Sequence, residues 1–426
     1  MNVMSGRVLR ADRGWVGERA LVVTPMVPPR GERDRMGMQR RVSAFLHGMA
    51  PLFGRIDMLH IIPPDSRFDD PAALDAAQSA FWGVPVHAHC VVRREEPGQP
   101  WQDHGLGLFD VGQQHPFRRY TSPDVVAAVA EQLRRGPDFV FADRIEAMLP
   151  IVRTGLRTPR LLFDLNDVEH KVGIGALRGG MTHAARVLKA TKLPALFVEE
   201  RRAAGVSGAT AVCSDVDRAH LRRLGFGRKI VTVPNAVAVP DTVPGVTSAP
   251  VVLFLGACSY APNVEAAERL VRQVWPLIRA ACPDARLIVA GAGTDRLASS
   301  ASGPAGVEYR GFVPDLAALY AESRVICCPL LRGGGTRLKL VEGAAYARPM
   351  VSTRMGAEGL SFTDRCDILL RESDAEIADG CLMLLQDDAL CARLGDAARM
   401  TMGRLYDVRA VVAQIGGLIQ TLCAVP

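Results

Sequence analysis

The sequence lacks several features that would identify a function directly. Aromatic residues make up only 6% of the 426 positions and do not interleave with basic clusters, although the net charge is +6. Nucleic-acid-binding domains usually combine clustered basic charge with aromatic side chains, so no nucleic-acid partner is expected. The Walker A pattern G-x-x-x-x-G-K-[ST] is also missing, which excludes a P-loop nucleotide site.

The cysteines and histidines form neither a disulfide pattern nor a zinc pattern. None of the ten cysteines belongs to a C-x-x-C pair, and most lie in apolar runs, which indicates reduced core cysteines in a cytosolic protein. His87 and His89 point to the same face of a predicted strand, but no carboxylate lies beside them in the sequence. We therefore expect no bound metal. The N-terminal residues contain no apolar core, so a signal peptide is not expected.

Two stretches lack charges of one or both signs. Residues 242–263 carry no charge, but prolines and glycines interrupt them, so a linker followed by a strand fits better than a membrane helix. Residues 171–198 contain no acidic residue and five basic ones, which are Lys171, Arg178, Arg186, Lys189 and Lys192. This segment predicts either a solvated helix face or peripheral contact with an anionic membrane, to which each basic residue adds about 1 kcal/mol.

Thirteen short apolar runs rich in β-branched residues alternate with helical patterns. They cover residues 20–26, 56–62, 84–92, 138–143, 160–165, 209–214, 229–235, 251–256, 286–291, 307–312, 324–330, 349–353 and 367–370. Continuous apolar strands separated by helices are typical of parallel sheets covered on both faces. Because thirteen strands are too many for one sheet, the sequence predicts an α/β protein with two Rossmann-like domains facing across a cleft.

A linker rich in proline and valine at residues 234–250 separates the seventh run from the eighth. We place the domain boundary there, which predicts one domain over residues 1–240 and a second over residues 241–405. Residues 406–426 are predicted to form a C-terminal helix that packs back on the first domain. Ligands of such sheets bind at the carboxyl ends of the strands, so functional residues are expected in the loops that follow them.

The stretch LLRGGGTRLKLVEG at residues 330–343 is the strongest candidate for a ligand loop. A glycine inside an element costs roughly 0.5–1 kcal/mol relative to alanine, so a triplet indicates a special backbone path or a closely approaching ligand. The triplet enters a predicted helix that starts near Thr336, and free N–H groups at a helix N-terminus attract anions. Three basic side chains suit a diphosphate; they are Arg332, Arg337 and Lys339. Glu342 is placed to accept hydrogen bonds from a ribose, so the pattern predicts a nucleotide site.

A second glycine pattern competes with the triplet. The stretch VAGAGTDR at residues 289–296 offers G-x-G after a strand, as in nicotinamide dinucleotide sites. Arg296 occupies the position of the third glycine. The glycine triplet is therefore the favoured nucleotide site.

Three phrases of the second half are similar to those of a known family. They are FLGACSYAPNVEAAERL, GVEYRGFVPDL and PLLRGGGTRLKLVEGAAYARPMVSTRMGAEGL, and they follow one another within residues 251–360. This region resembles the donor half of a GT-B fold glycosyltransferase of family 4, the glycosyltransferases group 1, in the branch that carries a glycine triplet. Weaker matches in the first half are TPMVPPRGERDRMGMQRR, VFADRIEAML, FDLNDVEHKV and VCSDVDRAHL.

The resemblance implies a role for each residue of the glycine-rich stretch. Arg332 and the run Gly333, Gly334, Gly335 and Thr336 would bind the sugar and phosphates of a donor. Arg337 and Lys339 would neutralise the leaving diphosphate, and Glu342 would hold the ribose as the second glutamate of the family's E-x7-E pattern.

This chain departs from the family pattern at two places. Gly334 stands where the E-x7-E pattern has its first glutamate. Many members also carry an arginine and a lysine after the first strand of the donor domain, where this chain has the residues 257–260, ACSY. The resemblance therefore implies that Arg332, Arg337 and Lys339 supply the charge for the phosphates.

In the first domain, the resemblance points to three acceptor-side residues. Gly37 and Arg40 match the glycine turn and the arginine that follow the opening strand of the family. Arg144 matches an arginine after the fourth strand. Gly37 and Arg40 are expected to face the predicted cleft.

An acidic phrase completes the catalytic set that the resemblance implies. Asp167 and Glu169 match a D-V-E phrase after the fifth strand, with ordinary caps and surface ion pairs at a helix start as the alternative. His170 follows them and is either a contact to the sugar or acceptor or a structural histidine. Together with Arg337 and Lys339, these three residues are the predicted catalytic residues.

The family resemblance implies a glycosyltransferase of hexosyltransferase type. It would move a sugar from a nucleoside-diphosphate sugar to a polysaccharide, lipid-linked or secondary-metabolite acceptor, with retention of configuration and with no metal or other cofactor. The expected location is the cytoplasm, at the inner face of the plasma membrane if residues 171–198 bind lipid. Two alternatives stay open: a nucleotide-sugar 2-epimerase on the same fold, and a catalytically silent scaffold that binds nucleotide sugar.

Overall fold

The computed structural model of the chain describes residues 15–29, 37–66, 70–94, 117–158, 160–177, 182–227, 229–297, 299 and 304–424. The chain divides into two compact units. The first unit comprises Met1–Pro234 and Val411–Pro426, and the second comprises Asn235–Ala410. The first change of unit thus lies within the predicted linker, where the sequence placed the boundary at residue 240.

A seven-stranded sheet forms the centre of the first unit. Its strands are β1 (Gly17–Thr24), β2 (Phe53–Ile62), β3 (His87–Val92), β4 (Phe139–Asp143), β5 (Leu161–Asn166), β6 (Ala209–Val212) and β7 (Ile230–Thr232). They lie in the order β3-β2-β1-β4-β5-β6-β7, and the described pairs are parallel.

Helices connect the strands of this sheet, as parallel pairing requires. In the described residues they are α1 (Gly37–Met49), α2 (Pro71–Trp82), a 3-10 turn (Phe117–Tyr120), α3 (Pro123–Arg134), α4 (Arg144–Thr154), α5 (Glu169–Ala176), α6 (His183–Val206) and α7 (Asp215–Arg223). Helices α2 and α3 begin with proline at the first helical position, where the missing N–H has no intrahelical partner to lose.

The second unit repeats the plan with six strands. They are β8 (Val251–Leu255), β9 (Arg286–Ala290), β10 (Val307–Gly311), β11 (Val325–Cys328), β12 (Met350–Ser352) and β13 (Leu369–Leu370), in the order β10-β9-β8-β11-β12-β13. The described pairs are again parallel.

Helices also lie between the strands of the second unit. In chain order the described helices are α8 (Ala261–Arg269), a π-helical turn (Leu270–Val274), α9 (Trp275–Ala281), a 3-10 turn (Thr294–Arg296), α10 (Leu316–Glu322), α11 (Leu338–Ala345), α12 (Asp374–Gln386) and α13 (Asp388–Leu405). Helix α12 starts with a capping box, in which Ser373 and Glu376 satisfy each other's backbone N–H groups.

The last helix, α14 (Val408–Cys423), returns the chain to the first unit at Val411. Its Gln414 Nε2 donates to the carbonyl oxygen of Thr232 over 2.7 Å. Ile415 lies so close to Gly48 of α1 that a Cβ built on this glycine would come within 2.6 Å of it. The C-terminal residues thus help to complete the core of the first unit.

The predicted fold class is confirmed, and its cause is visible in the central strands. Strands β4 and β8 are buried along almost their whole length because helices cover both faces of each sheet. All thirteen predicted runs coincide with strands.

The sheet orders locate the edges where ligands are expected. In the first sheet the order reverses between β1 and β4, and in the second it reverses between β8 and β11. Loops that follow such neighbouring strands diverge and leave a crevice at their carboxyl ends. The glycine triplet follows β11, so it lies at the reversal point of the second sheet.

Candidate active site

The glycine triplet adopts a backbone path that needs glycine. Gly333 has φ 145° and Gly335 has φ 67°, both in the left-handed region that other residues rarely adopt. A Cβ on Gly333 would also lie 2.8 Å from the hydroxyl oxygen of Tyr260. The triplet therefore has the special backbone path that the sequence predicts. The Tyr260 hydroxyl, from the loop after β8, is one reason why position 333 requires glycine.

Arg337 supports this loop from beneath. Its side chain is only 5% exposed, and one guanidinium nitrogen donates to the carbonyl oxygens of Gly334, over 3.0 Å, and of Gly335. The other terminal nitrogen donates to the carbonyl oxygen of Met355 over 3.2 Å. Neutral carbonyl oxygens therefore hold the guanidinium group of Arg337 in place.

Lys339 projects from the first turn of α11 towards the end of β8. Its ammonium group donates to Asn263 Oδ1 over 2.8 Å and lies 4.6 Å from the centre of the Phe254 ring. A Cβ on Gly256 would come within 2.8 Å of this ammonium group. Burial lowers the pKa of Lys339, and the charge of Arg337 acts in the same direction.

Arg332 and Thr336 have partners within the second unit. Arg332 forms a two-pronged ion pair with Glu265 of α8, in which Nε donates to Oε2 over 2.6 Å. The hydroxyl oxygen of Thr336 accepts a hydrogen bond from Asn235 Nδ2 over 2.8 Å. Because Glu265 neutralises Arg332, this arginine contributes less positive charge to the loop than the sequence predicts.

Glu342 lies on α11, one turn beyond Lys339. It is 8% exposed, and the hydroxyl of Tyr320 donates to its Oε2 over 3.4 Å. Tyr320 in turn stacks on Tyr346 with ring centres 4.8 Å apart. The carboxylate thus lies in the middle of α11, within reach of the Tyr320 hydroxyl.

The predicted donor residues therefore occupy one region, the β11–α11 connection and the first turns of α11. Sequence reasoning missed three residues that contact this region from the loop after β8 and from α8. They are Tyr260, Asn263 and Glu265. The phrase SYAPNVE, which is part of the family resemblance, contains all three and was the available signal.

The first unit has a polar edge at the ends of β1, β4 and β5. Arg144 has φ 67° and Asn166 has φ 58°, so two non-glycine residues in the left-handed region end two neighbouring strands. Such strain often marks functional sites. The Thr24 hydroxyl donates to Asp143 Oδ2 over 2.7 Å, and Arg144 lies 3.5 Å from the same oxygen. Burial opposes the charge of Arg144, but Asp143 and Glu146 outweigh it and raise its pKa.

Helix α1 places two successive arginines differently. Gly37 is its first residue, and Arg40 is half-buried. Arg41 is 4% exposed and pairs with the buried Asp164 through two hydrogen bonds of 2.7 and 2.6 Å. It also donates to the carbonyl oxygen of Val233 over 2.8 Å. The buried ion pair between Arg41 and Asp164 thus links α1 to β5.

Glu169 lies in a cluster of carboxylates. Burial raises its pKa to about 8, and the charges of Glu146, Asp167 and Glu200 act in the same direction. Burial also raises the pKa of Glu146. Arg144 acts against both shifts, so the predicted residues Arg144, Asp167 and Glu169 form one electrostatic neighbourhood.

His170 turns into the core instead. It is 3% exposed, its Nδ1 lies 2.5 Å from Glu200 Oε2, and its Nε2 lies 2.9 Å from His220 Nε2. Glu200 also accepts from the Glu169 N–H over 2.7 Å. This geometry favours the structural alternative for His170, in which the ring anchors the start of α5.

The two histidines of β3 have separate acidic neighbours. His87 Nδ1 lies 2.9 Å from Asp75 Oδ2, and His89 Nε2 lies 4.0 Å from Asp57 Oδ1. Within the described ranges, no group of three or more His, Cys, Asp or Glu residues is arranged to hold a metal ion.

The basic segment covers most of α5 and about the first two-thirds of α6. Arg178 and Met181 lie outside the described residues, and Lys171 donates to Asp217 over 2.8 Å. Residues 182–187 are all exposed, and so is Ile174. None of the helices that the structure describes is long and apolar enough to cross a membrane.

Comparison with solved structures identifies the class of fold. The chain is similar to HepE from Anabaena, solved with UDP and glucose, at TM-score 0.62 and 14% identity over 94% of this chain and 98% of that one. It is also similar to sucrose-phosphate synthase from Thermosynechococcus elongatus, at TM-score 0.67 and 15% identity over 96% and 100%. A variant of TarM from S. aureus gives TM-score 0.65 and 9% identity over 96% and 100%. These likenesses establish the GT-B fold.

A comparison with protein families gives a match within the second unit. Residues 249–387 match the family model of the glycosyl transferases group 1. This match runs from β8 through α12 and includes the whole glycine-rich loop with its neighbours. No curated protein matches the chain by sequence.

Proposed function

We propose that this protein is a glycosyltransferase that binds a nucleoside-diphosphate sugar at the glycine loop of its second unit. The observation that carries the proposal is the loop itself, at the reversal point of the sheet, with Arg337 buried against it and the half-buried Lys339 at the neighbouring end of β8. The family match over residues 249–387 supports the same reaction class. HepE with UDP and glucose, and TarM with UDP and α-GlcNAc-glycerol, support a nucleotide-sugar donor and a glycan-type acceptor.

The chemistry we infer is stabilisation of the leaving diphosphate. Negative charge develops on the phosphates as the glycosidic bond to the nucleotide breaks, and preorganised positive charge lowers that barrier. Arg337 and Lys339 are held by backbone and amide oxygens, so they need little rearrangement when the charge develops. Glu342 would bind the ribose, and the glycines would admit the phosphates and sugar close to the backbone.

The acceptor side is proposed at the polar edge of the first unit. Gly37, Arg40 and Arg144 would contact the acceptor, and Asp167 and Glu169 would take part in catalysis. His170 would act only by positioning Glu169, because its ring is held by Glu200 and His220. We further propose retention of configuration, independence of metals and cofactors, and a polysaccharide, lipid-linked or secondary-metabolite acceptor.

A thermal-shift screen of nucleoside diphosphates and nucleotide sugars tests the donor site. At about 100 times the dissociation constant, a ligand stabilises the folded protein by about 2.7 kcal/mol, which raises the melting temperature visibly. One base family should stabilise the wild type but not Glu342→Ala. The matched control is Asp379→Ala, which removes an exposed carboxylate from α12.

The same screen, followed by analysis of the products formed from any nucleotide sugar that binds, with and without acceptors, separates the alternatives. If no nucleotide stabilises the wild type, the glycosyltransferase proposal fails for this loop. If a nucleotide sugar binds and changes into its 2-epimer without an acceptor, the epimerase replaces the transferase. If it binds but is neither transferred nor changed with any acceptor, the silent scaffold is the correct description.

We also propose peripheral contact with anionic membranes through the exposed start of α6. Arg186 and Val187 lie in the fully exposed stretch at residues 182–187, and Val187 is 49% exposed. Sedimentation with anionic vesicles should fall on Arg186→Glu and at high salt. Arg404→Glu, on the exposed face of α13, is the control. Equal binding to neutral and anionic vesicles would contradict this proposal.

A further inference from the structure

The turn Y-A-P-N at residues 260–263 contacts the glycine loop, and neither the sequence patterns nor the comparisons assign it a role. The hydroxyl oxygen of Tyr260 accepts a hydrogen bond from the Gly334 N–H over 2.9 Å. A phenol has one O–H donor in addition to its acceptor sites. Because Tyr260 acts as an acceptor here, its own proton can be donated to a ligand. The side chain is 40% exposed, so a ligand at the loop can reach it.

Asn263 fixes the position of Lys339. Its Oδ1 accepts from the Lys339 ammonium over 2.8 Å, and its Nδ2 donates to the carbonyl oxygen of Ala257 over 2.9 Å. Its backbone N–H donates to the carbonyl oxygen of Tyr260. Since both ends of the amide are used, neither the amide orientation nor the place of the ammonium group is free to change.

This arrangement delivers positive charge to the end of β8 from another element. Lys339 comes from α11, yet its ammonium lies against Gly256, the residue that follows β8. Residues 257–260 carry no basic side chain of their own. The turn therefore obtains its cation from a helix that begins more than seventy positions later in the chain.

The cationic groups of Lys339 and Arg337 donate to neutral hydrogen-bond acceptors. Lys339 donates to an amide oxygen and Arg337 donates to backbone carbonyl oxygens. Arg332, by contrast, is neutralised by Glu265. A buried cation with neutral acceptors gains from an added anion more than a paired one does. The site thus suits an anionic group that lies over the loop.

We propose that Tyr260 and Asn263 form a phosphate subsite for the diphosphate of the donor. Tyr260 donates its hydroxyl proton to a non-bridging phosphate oxygen while it holds the Gly334 N–H, and Asn263 positions Lys339 to contact the same group. This inference rests on the proposed function, since it assigns residues to the leaving group of the same donor site.

Two substitutions test the subsite by calorimetry with UDP, GDP and ADP, using whichever one binds the wild type. Tyr260→Phe should weaken binding of that diphosphate about tenfold, as expected for loss of a hydrogen bond to a charged group. Binding of the matching nucleoside, followed by NMR titration, should not change. Tyr309→Phe, which removes a hydroxyl from β10 beside Glu268 and Arg272, should bind like the wild type.

Asn263→Asp separates a binding role from a structural one. The new carboxylate would pair with Lys339 but would lose the hydrogen bond to the Ala257 carbonyl oxygen, so the melting temperature of the ligand-free protein should change little. Diphosphate affinity should nevertheless fall at least about tenfold, because the added charge cancels the cation and repels the phosphates.

The outcomes distinguish failure of the proposed function from failure of the subsite alone. If the wild type binds none of the three diphosphates, the proposed function fails and the subsite with it. If the wild type binds one and both variants bind it equally well, only the subsite is refuted. If Tyr260→Phe loses diphosphate and nucleoside to the same extent, Tyr260 merely shapes the loop and the subsite is again refuted.

Discussion

Replacing Glu169 by Gln should remove a pH-dependent loss of stability from the first unit. Burial and the neighbouring carboxylates raise the pKa of Glu169 from 4.5 to about 8. Between these two values the folded protein keeps the proton while the unfolded chain has lost it. Stability that Glu169 contributes below its ordinary pKa is therefore lost as the pH rises, and the loss is complete above the raised pKa.

The size of the effect follows from the number of protons involved. One proton released on unfolding lowers the free energy of unfolding by about 1.4 kcal/mol for each pH unit. Over the whole shift the ceiling is roughly 5 kcal/mol. Because part of this shift comes from the charges of Glu146, Asp167 and Glu200, and because buried sites behave as if their dielectric constant were high, we expect about half of this value.

Urea unfolding at several pH values measures the difference between Glu169→Gln and the wild type. Hydrogen exchange of peptides from β4 and β5 assigns the change to the first unit. The two proteins should be similar near pH 4.5, and the variant should be more stable by about 2–3 kcal/mol near pH 8. The control is Glu131→Gln, whose carboxylate is 63% exposed on α3.

Parallel pH dependences for the wild type and Glu169→Gln would refute this reasoning. They would mean that Glu169 is ionised in the folded protein at neutral pH. In that case Arg144 would have to compensate for the burial and for the other carboxylates.

Three further predictions concern single contacts. Gly333→Ala should abolish nucleotide-dependent stabilisation, because alanine is strained at φ 145° and its methyl group would collide with the Tyr260 hydroxyl; a thermal shift equal to that of the wild type would contradict this. Glu342→Gln should weaken a ribonucleoside diphosphate about tenfold and leave its 2′,3′-dideoxy analogue unaffected, since only the former offers a ribose diol; calorimetry with both ligands decides. Arg41→Met should destabilise the protein by about 3–5 kcal/mol, because it leaves Asp164 buried without its cation; urea unfolding measures the loss, and a change below about 1 kcal/mol would show that Asp164 is protonated.

The strands and the glycine loop could be predicted because their signals are local. Apolar runs determine buried parallel strands whatever their neighbours are, and a glycine triplet requires an unusual backbone wherever it lies. The start of α11 was predicted near Thr336, whereas the helix begins at Leu338 with Arg337 as the residue before it. Helix ends depend on such capping details and shift by one or two residues for that reason.

The contacts of Tyr260 and Asn263 could not be predicted, because they depend on the order of strands in the sheet. The loops after β8 and β11 meet only because these strands are neighbours, and the sequence alone does not define that order. Arg41 was missed for a different reason. Arg41, Phe45 and Met49 recur at the helical spacing of four and are all buried on α1. Phe45 and Met49 indicate the buried face of α1, and Arg41 lies on that face. The family resemblance pointed to the adjacent Arg40 instead, which is only half-buried.

Gly334 shows how the loop can work without the first glutamate of the E-x7-E pattern. Its N–H donates to Tyr260 and its carbonyl oxygen accepts from Arg337, so both main-chain polar groups are already used. Gly334 therefore supplies no side chain where the pattern has a carboxylate. A sugar bound beside this residue would meet the Tyr260 hydroxyl, which accepts from the Gly334 N–H. We accordingly expect Gly334→Ser, which adds a side chain here, to change which nucleotide sugars bind while leaving the affinity for the free nucleoside diphosphate nearly unchanged. Equal losses for all these ligands in calorimetry would contradict this expectation.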